Sequence, residues 1–317
     1  MIPSPQLNRF LDAALSALSQ EDPWVRPPDS QKRPGGLVLL KEDLPTWVLP
    51  DIHGRLDLVE AFLAHPYQGQ SIEEGLIAGK IQVVFLGDGM HSELRGRARW
   101  VEAMEEYRSG FAESPAMDAE MEESLGTMAR VMDLKARCGA RFHFLKGNHE
   151  NILDRSELGD HSFAKFAAEG AMTKAWVLKN LGPDFLDRFA RFEQALPLAA
   201  RGRYFVLSHS RPRQPFGFNE LINHRDHPQV IEGLTWTRDH QAEAGTIRRL
   251  FKELLGGDPK ESLWVSGHTP VAGDYRQDTE EGLLLLHNPN RWLACVLEPG
   301  GTFDAAKAVV NLQGASA

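Results

Sequence analysis

Six side chains that can bind metal ions follow short apolar segments of the chain. In chain order they are Asp51, His53, Asp88, Asn148, His209 and His268. Carboxylate, amide oxygen and imidazole groups together are typical ligands of divalent metal ions. Six of them are more than one ion usually takes from a protein, but two ions that share one carboxylate would use them all. The pattern therefore predicts a site for two metal ions.

Asp51 and His53 stand two residues apart. In an extended segment both side chains point the same way, so they can bind one ion together. Gly54, which follows, lets the chain turn away from the ion.

The segments before these residues have the length and composition of buried strands. They belong to a series of short apolar runs, rich in Val, Leu and Phe, that alternate with longer amphipathic stretches. The runs cover residues 36–40, 46–49, 81–86, 141–145, 203–207, 262–266, 282–286 and 292–297. This alternation predicts an α/β fold. The carboxyl ends of strands border the ligand crevice in open α/β sheets, so we expect the six side chains to converge there.

Composition excludes several classes of protein. The chain has 317 residues, of which 42% are hydrophobic and 25% charged, as in folded globular proteins. A net charge of -9 argues against nucleic acid or an anionic membrane as a partner. No apolar run reaches the roughly 18 residues of a membrane span, and residues 1–18 lack the features of a signal peptide. With only Cys138 and Cys295 available, no disulfide framework is possible, so we expect a cytoplasmic protein.

The N-terminal residues 1–35 differ from the rest of the chain. Leu7, Leu11, Leu15 and Leu18 recur at helical spacing, which predicts an amphipathic helix over 5–18. A Pro-rich connector follows. We therefore interpret 1–35 as a peripheral arm and 36–317 as the main domain.

The other histidines have less informative positions. His143 lies within an apolar run and is predicted to be in the core. Solvated positions are expected for His65, His161, His224, His227 and His240. His287 follows the run 282–286 and could border the site, although a structural role is the favoured interpretation.

Taken in order, the polar motifs resemble a known superfamily. The motifs are Asp51-x-His53-Gly, Gly-Asp88, Gly-Asn148-His149-Glu150, His209 and Gly-His268-Thr-Pro. This series, from about Trp47 to Pro270, resembles the calcineurin-like metallophosphoesterases. The Thr-Pro after His268 is similar to the branch of serine/threonine phosphoprotein phosphatases and their diadenosine-polyphosphate hydrolase relatives. The resemblance implies a β-sandwich of two mixed sheets flanked by helices.

The same resemblance implies roles for individual residues. One metal would be bound by Asp51, His53 and Asp88, and the other by Asp88, Asn148, His209 and His268. His149 would be the general acid, and Arg238, in a Trp-x-Arg segment, would hold substrate phosphate. The cofactors would be two divalent ions, manganese or else iron or zinc, with hydroxide bound between them as the nucleophile.

The chain departs from the pattern of that branch after Asp88. The branch reads G-D-x-x-D-R-G, whereas here His91 replaces the aspartate that orients the general acid and Ser92 replaces the arginine. A neutral imidazole still accepts a hydrogen bond, so we expect His91 to orient His149. Arg95 or Arg97 could supply the missing cation to the substrate. Further on, Leu286-His287-Asn288-Pro289 replaces an Asp-Thr-Gly segment.

The stretch of about 92–138 is predicted to be a helical insertion. Its acidic residues between 102 and 123 are Glu102, Glu105, Glu106, Glu113, Asp118, Glu120, Glu122 and Glu123, and its regularly spaced methionines are Met117, Met121, Met128 and Met132. One interpretation is a pair of solvated helices that pack on the domain through the methionines. The other is a cap over the metals that excludes polyanions.

These observations predict a dinuclear metal-dependent phosphatase that hydrolyses a phosphomonoester of a protein or a small molecule. Two alternatives stay open: a nucleotide or dinucleoside-polyphosphate hydrolase, and a catalytically weak regulator that binds metal or phosphate. A phosphorylated substrate is the expected partner, without nucleic acid or membrane. The sequence does not predict the oligomeric state.

Overall fold

A computed structural model describes residues 4–256, 262–301 and 303–314. The α-helices of these residues are α1 (Ser4–Ser19), α2 (Leu56–Ala64), α3 (Ile72–Ile77), α4 (Arg97–Arg108), α5 (Pro115–Cys138), α6 (Glu169–Asn180), α7 (Pro183–Ala195), α8 (Phe218–Ile222), α9 (Pro228–Thr235), α10 (Thr246–Leu255) and α11 (Ala305–Ala308). The strands are β1 (Leu37–Leu39), β2 (Thr46–Leu49), β3 (Pro66–Tyr67), β4 (Gln70–Ser71), β5 (Gln82–Phe85), β6 (Phe142–Phe144), β7 (Ala199–Arg201), β8 (Phe205–Ser208), β9 (Leu263–Ser266), β10 (Arg276–Asp278), β11 (Leu283–Leu285), β12 (Leu293–Leu297) and β13 (Val309–Asn311).

The strands form two mixed sheets, as predicted, and a small hairpin of β3 and β4. The order is β13-β12-β2-β5-β6 in the five-stranded sheet and β1-β7-β8-β9-β11-β10 in the six-stranded sheet. All eight apolar runs form strands, so the predicted α/β class is confirmed. Strands β3, β4, β7, β10 and β13 were not predicted, because they are short and lack an apolar run.

Side chains of β2 show how the layers pack. Successive residues of a strand point to opposite faces. Trp47 and Leu49 therefore pack with the helices outside the five-stranded sheet, whereas Val48 packs between the two sheets with Leu207 and Val265 of the other sheet. Burial of these apolar side chains on both faces of each sheet stabilises a helix–sheet–sheet–helix sandwich.

The predicted N-terminal helix is confirmed as α1. Its buried side chains Leu7, Leu11, Ala14 and Leu18 lie on one face, which packs on α5 and α7. After α1, the buried carboxylate of Glu21 pairs with Arg26 at 2.8 Å and with Lys135 of α5. The connector is thereby fixed to the main domain, and the boundary at residue 35 stays a prediction.

The segment predicted to be an insertion forms α4 and α5, which pack on the outer face of the five-stranded sheet. The methionines Met117, Met121, Met128 and Met132 are fully buried in that core, which confirms the packing interpretation. The tip between the helices docks on α6, because Lys179 donates to the carbonyl oxygen of Gly110 at 3.1 Å and Trp176 donates to Asp118 at 2.7 Å. These contacts hold the tip on α6 and give no support to a cap over the metals.

No α-helix within the described ranges combines the length and the apolar character needed to cross a membrane.

Candidate metal centre

Six parallel strands end at one edge of the sandwich, and a polar side chain follows each of them. In the five-stranded sheet β2, β5 and β6 are parallel, and in the six-stranded sheet β8, β9 and β11 are parallel. The residues that follow these strands are Asp51 and His53, Asp88, Asn148 and His149, His209, His268 and His287. Both sheets therefore contribute side chains to one buried cluster.

Asp88 lies at the middle of the cluster. Its Oδ2 atom is 3.8 Å from Nε2 of His53 and 3.4 Å from Nε2 of His209. On one side, Nε2 of His53 also lies 3.9 Å from Oδ2 of Asp51. A carboxylate with two oxygens in this position can contact ions on both sides.

On the other side of Asp88 lie Asn148, His209 and His268. Oδ1 of Asn148 is 2.9 Å from Nε2 of His209 and 2.9 Å from Nδ1 of His268. The two imidazole nitrogens are 3.2 Å apart. All six predicted ligands are thus brought together, with Asp88 between the two groups that the resemblance implies.

Backbone carbonyls fix the orientation of two of these imidazoles. Nδ1 of His209 donates to the carbonyl oxygen of Leu86 at 3.0 Å, and Nδ1 of His53 donates to that of His91 at 3.1 Å. We assign the proton to Nδ1 in both rings, which leaves the Nε2 lone pairs directed into the cluster. Histidines that ligate metals are commonly held in this way.

The backbone of the cluster is strained at three of the predicted ligands. His53, Asp88 and His268 have φ values of 51°, 52° and 57°, a left-handed conformation that is uncommon for residues other than glycine. Such strain concentrates at functional sites, where the surrounding structure holds the residue in place. Close packing adds to the constraint, because a Cβ atom at Gly267 would lie 1.9 Å from Oδ1 of Asp51.

Glu150 ties two of the ligand loops together. Its carboxylate accepts hydrogen bonds from the backbone N–H groups of Asp88, Gly89 and Gly147 at 2.9, 2.8 and 2.7 Å. Three donors on one buried carboxylate hold the loop after β5 against the loop after β6. The final residue of the Gly-Asn-His-Glu motif therefore positions the ligands without facing the cluster.

The electrostatics of the cluster fit divalent cations. Burial, followed by the nearby carboxylates of Asp51 and Glu150, raises the pKa of Asp88 well above its usual range. Burial lowers the pKa of His53 to about 3 and, with the charge of Arg238, that of His268 to about 4. Neutral imidazoles are the form that binds metal, and a cation would relieve the repulsion between the carboxylates.

The lone pairs inside the cluster also favour binding of a cation. Oδ1 of Asn148 and the unprotonated Nε2 of His209 are both hydrogen-bond acceptors, and they face each other at 2.9 Å with no proton between them. Donor atoms of Asp88, His209 and His268 lie within 4.8 Å of one another, and so do those of His53, Asp88 and His149. The residues therefore fit two divalent ions that share Asp88.

His149 and His91 form a buried pair beside Asp88. Nδ1 of His149 lies 3.0 Å from Nδ1 of His91, and Nε2 of His91 lies 2.9 Å from Oγ1 of Thr173. Phe163 covers His149 with a ring-centroid distance of 3.7 Å. Nε2 of His149 remains directed to the cluster, 3.8 Å from Oδ2 of Asp88. Neither Thr173 nor Phe163 could be found from the sequence, because no motif marks them.

The two predicted phosphate-binding arginines lie at the edge of the cluster. Arg238 is exposed, and among the described residues its guanidinium has no ion-pair partner. Arg95 pairs with Glu123 and donates to the carbonyl oxygen of His53 at 2.9 Å. The guanidinium of Arg95 is thus already engaged in holding a ligand loop, and its contact with substrate stays a prediction.

A pocket of about 250 Å³ opens beside Asp51 and His53. Besides these two ligands, its polar lining includes Arg55, Glu93, Arg95, His287, Asn288, Asn290 and Arg291. Guanidinium and amide groups are suited to bind a small anion next to the metal ligands.

One of these lining residues, Glu93, was missed by the sequence analysis, and another, His287, was given there as a residue that could border the site. His287 is buried against Asp51, so it does border the site. Nothing in the sequence marked Glu93 except its place in the altered motif after Asp88. His224 is buried rather than solvated, because it packs against Gly36.

The sequence matches no known family model and no curated protein. Solved structures do have similar folds. A protein serine/threonine phosphatase from Saccharomyces cerevisiae, with similarity to human phosphatase PP5, matches with a TM-score of 0.60 and 13% identity over 98% of this chain and 89% of that chain. A single-substitution variant of a cold-active protein tyrosine phosphatase matches with a TM-score of 0.50 and 14% identity over 94% of this chain and 85% of that chain. At these identities the likeness establishes the fold, so the chain has the calcineurin-like phosphatase fold that its motifs predict.

Proposed function

We propose that this protein is a dinuclear metal-dependent phosphatase that hydrolyses phosphomonoesters. The observation that carries the proposal is the position of Asp88, whose Oδ2 lies 3.8 Å from His53 on one side and 3.4 Å from His209 on the other. One ion would be held by Asp51, His53 and Asp88. The second would be held by Asp88, Asn148, His209 and His268.

When bound, two such ions would polarise the phosphoryl oxygens and lower the pKa of the attacking water. The chain itself supplies the proton for the leaving group. His149 has one nitrogen directed to the cluster and the other hydrogen-bonded to His91, so it can donate a proton at Nε2 to the departing oxygen.

His91 acts on His149 as a positioning residue. We assign the proton of Nε2 of His91 to the contact with Thr173, so that Nδ1 of His91 accepts from Nδ1 of His149. Burial, then the charges of His53 and His91, hold the pKa of His149 well below its usual range. A dianionic phosphate in the site favours the imidazolium, so binding of substrate would charge the acid where it is needed.

Arg238 would bind the phosphate from the solvent side. Its charge already acts on His268, and its guanidinium has no competing carboxylate among the described residues. A planar guanidinium can hold two phosphoryl oxygens at once. Replacement of Arg238 by alanine should therefore raise KM more than it lowers kcat.

The experiment that tests the proposed function is hydrolysis by metal-loaded protein. Protein stripped with chelator and reloaded with manganese, iron or zinc is assayed on p-nitrophenyl phosphate, a phosphoserine peptide, nucleotides and dinucleoside polyphosphates. We expect metal-dependent release of phosphate from the monoesters, and its loss in Asp88→Asn. Preference for the anhydrides would make the protein a nucleotide hydrolase instead, and binding without turnover would make it a regulator.

A further inference from the structure

His287 occupies the same kind of position as the predicted ligands. It follows β11, the last of the parallel strands that end at the cluster, and its side chain is buried. Nδ1 of His287 lies 3.4 Å from Oδ2 of Asp51. The donor atoms of Asp51, His53 and His287 all lie within 4.8 Å of one another, as those of Asp88, His209 and His268 do.

We propose that His287 is a fourth protein ligand of the ion held by Asp51, His53 and Asp88. This inference rests on the proposed function, because it assumes that the cluster binds divalent metal. Each ion would then have four protein ligands, since Asn148, His209 and His268 already give the other ion three ligands besides Asp88.

The carboxylate of Glu93 faces the rings of both His287 and His53, and its Oε1 lies 3.8 Å from Nε2 of His53. Oε2 of Glu93 lies 3.6 Å from Nε2 of His287, on the side of the ring away from Asp51. Lys165 in turn pairs with Glu93 at 2.7 Å and keeps the carboxylate in place. A carboxylate that faces Nε2 keeps the proton there and leaves the Nδ1 lone pair for the metal, an arrangement common behind ligating histidines.

The two residues also account for departures from the motifs of the resembling branch. Glu93 stands where that branch has the last glycine of G-D-x-x-D-R-G, and His287 belongs to the segment that replaces Asp-Thr-Gly. The two substitutions are far apart in sequence, yet their side chains meet at the cluster. A second imidazole at this ion favours zinc or iron over magnesium.

The competing explanation is an imidazolium at His287 that bridges the carboxylates of Asp51 and Glu93. In that case the positively charged imidazolium would neutralise the two carboxylates in place of the metal ion. Replacing His287 with a neutral residue would then leave metal affinity unchanged or strengthen it, which is the opposite of the effect of removing a ligand.

The test uses cobalt as the probe, because its visible absorption reports coordination. The full chain is stripped with chelator and titrated with Co²⁺ as wild type, His287→Gln, Glu93→Gln and the control His65→Gln, which changes a histidine outside the cluster. Stoichiometry and Kd are measured by competition with a chromogenic chelator. We expect His287→Gln to weaken one of the two ions at least tenfold and to change the cobalt spectrum.

Glu93→Gln should weaken the same ion by roughly 10- to 100-fold, the usual effect of losing a partner behind a ligand. His65→Gln should bind as wild type does. If His287→Gln does not fold, His287→Asn carries the test, since Glu93 also faces His53 at 3.8 Å and Glu93→Gln alone would not report on His287. Wild-type Kd and spectrum in the folded variants would overturn the inference.

The design separates this inference from the proposed function. Wild-type protein that binds two ions and hydrolyses p-nitrophenyl phosphate, with His287→Gln unchanged in Kd and spectrum, overturns the role of His287 alone. Wild-type protein that binds no cobalt overturns the proposed function, and the inference with it.

Discussion

His91 and His149 face each other through their Nδ1 atoms at a distance of 3.0 Å. Both imidazoles are buried, and two imidazolium ions in this geometry would repel each other, so the pair carries at most one extra proton. In the branch that the motifs resemble, a carboxylate stands in place of His91. His91 therefore stabilises the protonated form of His149 less than a carboxylate would.

Replacing His91 with aspartate should raise the pKa of His149, because a carboxylate favours the imidazolium form. Burial, followed by the charge of His53, holds this pKa well below its usual range in the present site. The alkaline limb of the kcat profile reports loss of the acid's proton, so it should move to higher pH in His91→Asp, with metal content unchanged. His91→Asn is the uncharged control and should not move the limb upward. An alkaline limb at the same pH in His91→Asp as in wild type would mean that residue 91 does not affect the pKa of His149.

Removal of the general acid should depend on the leaving group. His149→Asn should lower kcat by about 100-fold or more for alkyl phosphates, whose leaving oxygen needs a proton. For nitrophenolate, which leaves without protonation, the loss should be small. Steady-state rates on both substrates at saturating metal check this difference. Equal losses would remove the general-acid role from His149.

Glu150 should contribute to stability rather than to chemistry. Its carboxylate accepts three backbone hydrogen bonds, and the amide of Glu150→Gln would turn a donor towards at least one of those N–H groups. Buried hydrogen bonds to a charged group are worth about 1.5–3 kcal/mol each, so we expect a loss of about 2–4 kcal/mol in the free energy of unfolding. Urea unfolding of metal-free protein measures it, with the exposed Glu157→Gln as the control. A loss no larger than in the control would contradict the role of Glu150.

Glu21, in the connector after α1, should make the free energy of unfolding depend on pH. Burial raises the pKa of Glu21, but the opposite charges of Lys135, His143 and Arg26 outweigh burial and lower it from 4.5 to about 2. A depressed carboxylate pKa stabilises the fold above pH 4.5, and this contribution is lost as pH falls towards about 2. The shift corresponds to about 3 kcal/mol at neutral pH.

Urea unfolding of wild type and Glu21→Gln between pH 7 and pH 2 tests this expectation. The difference in the free energy of unfolding should be largest above pH 4.5 and should decline at lower pH. Glu42→Gln, at an exposed position, serves as the control and should show little difference at any pH. A difference between wild type and Glu21→Gln that stays constant with pH would contradict the assignment.

The strand-end pattern was sufficient to predict most of the site. Parallel strands bring their carboxyl ends to one edge, so short apolar runs followed by Asp51, Asp88 or His209 predicted both the strands and the cluster of polar side chains. His287 follows the same rule, and its position after an apolar run indicated that it could border the site, although a structural role was the favoured interpretation. Its proximity to Asp51 depends on the six-stranded sheet, whose order the sequence does not specify.

Other contacts depend on tertiary packing that no local pattern marks. Thr173 lies on α6 and Glu21 in the connector, and each bonds to a partner more than 80 residues away. Short strands such as β7 and β10 carry too few residues for an alternating pattern. The burial of His224 follows from a loop packed against Gly36, a contact between distant parts of the chain.

The number of divalent ions bound per chain is the most direct test of the dinuclear site. Equilibrium dialysis of chelator-treated protein against manganese, followed by metal analysis, gives this number for wild type and Asp88→Asn. We expect about two ions in wild type and a clear loss in Asp88→Asn, because the Asp88 carboxylate reaches both ligand groups. A wild-type value of one ion, left unchanged by His209→Asn and His268→Asn, would contradict the account.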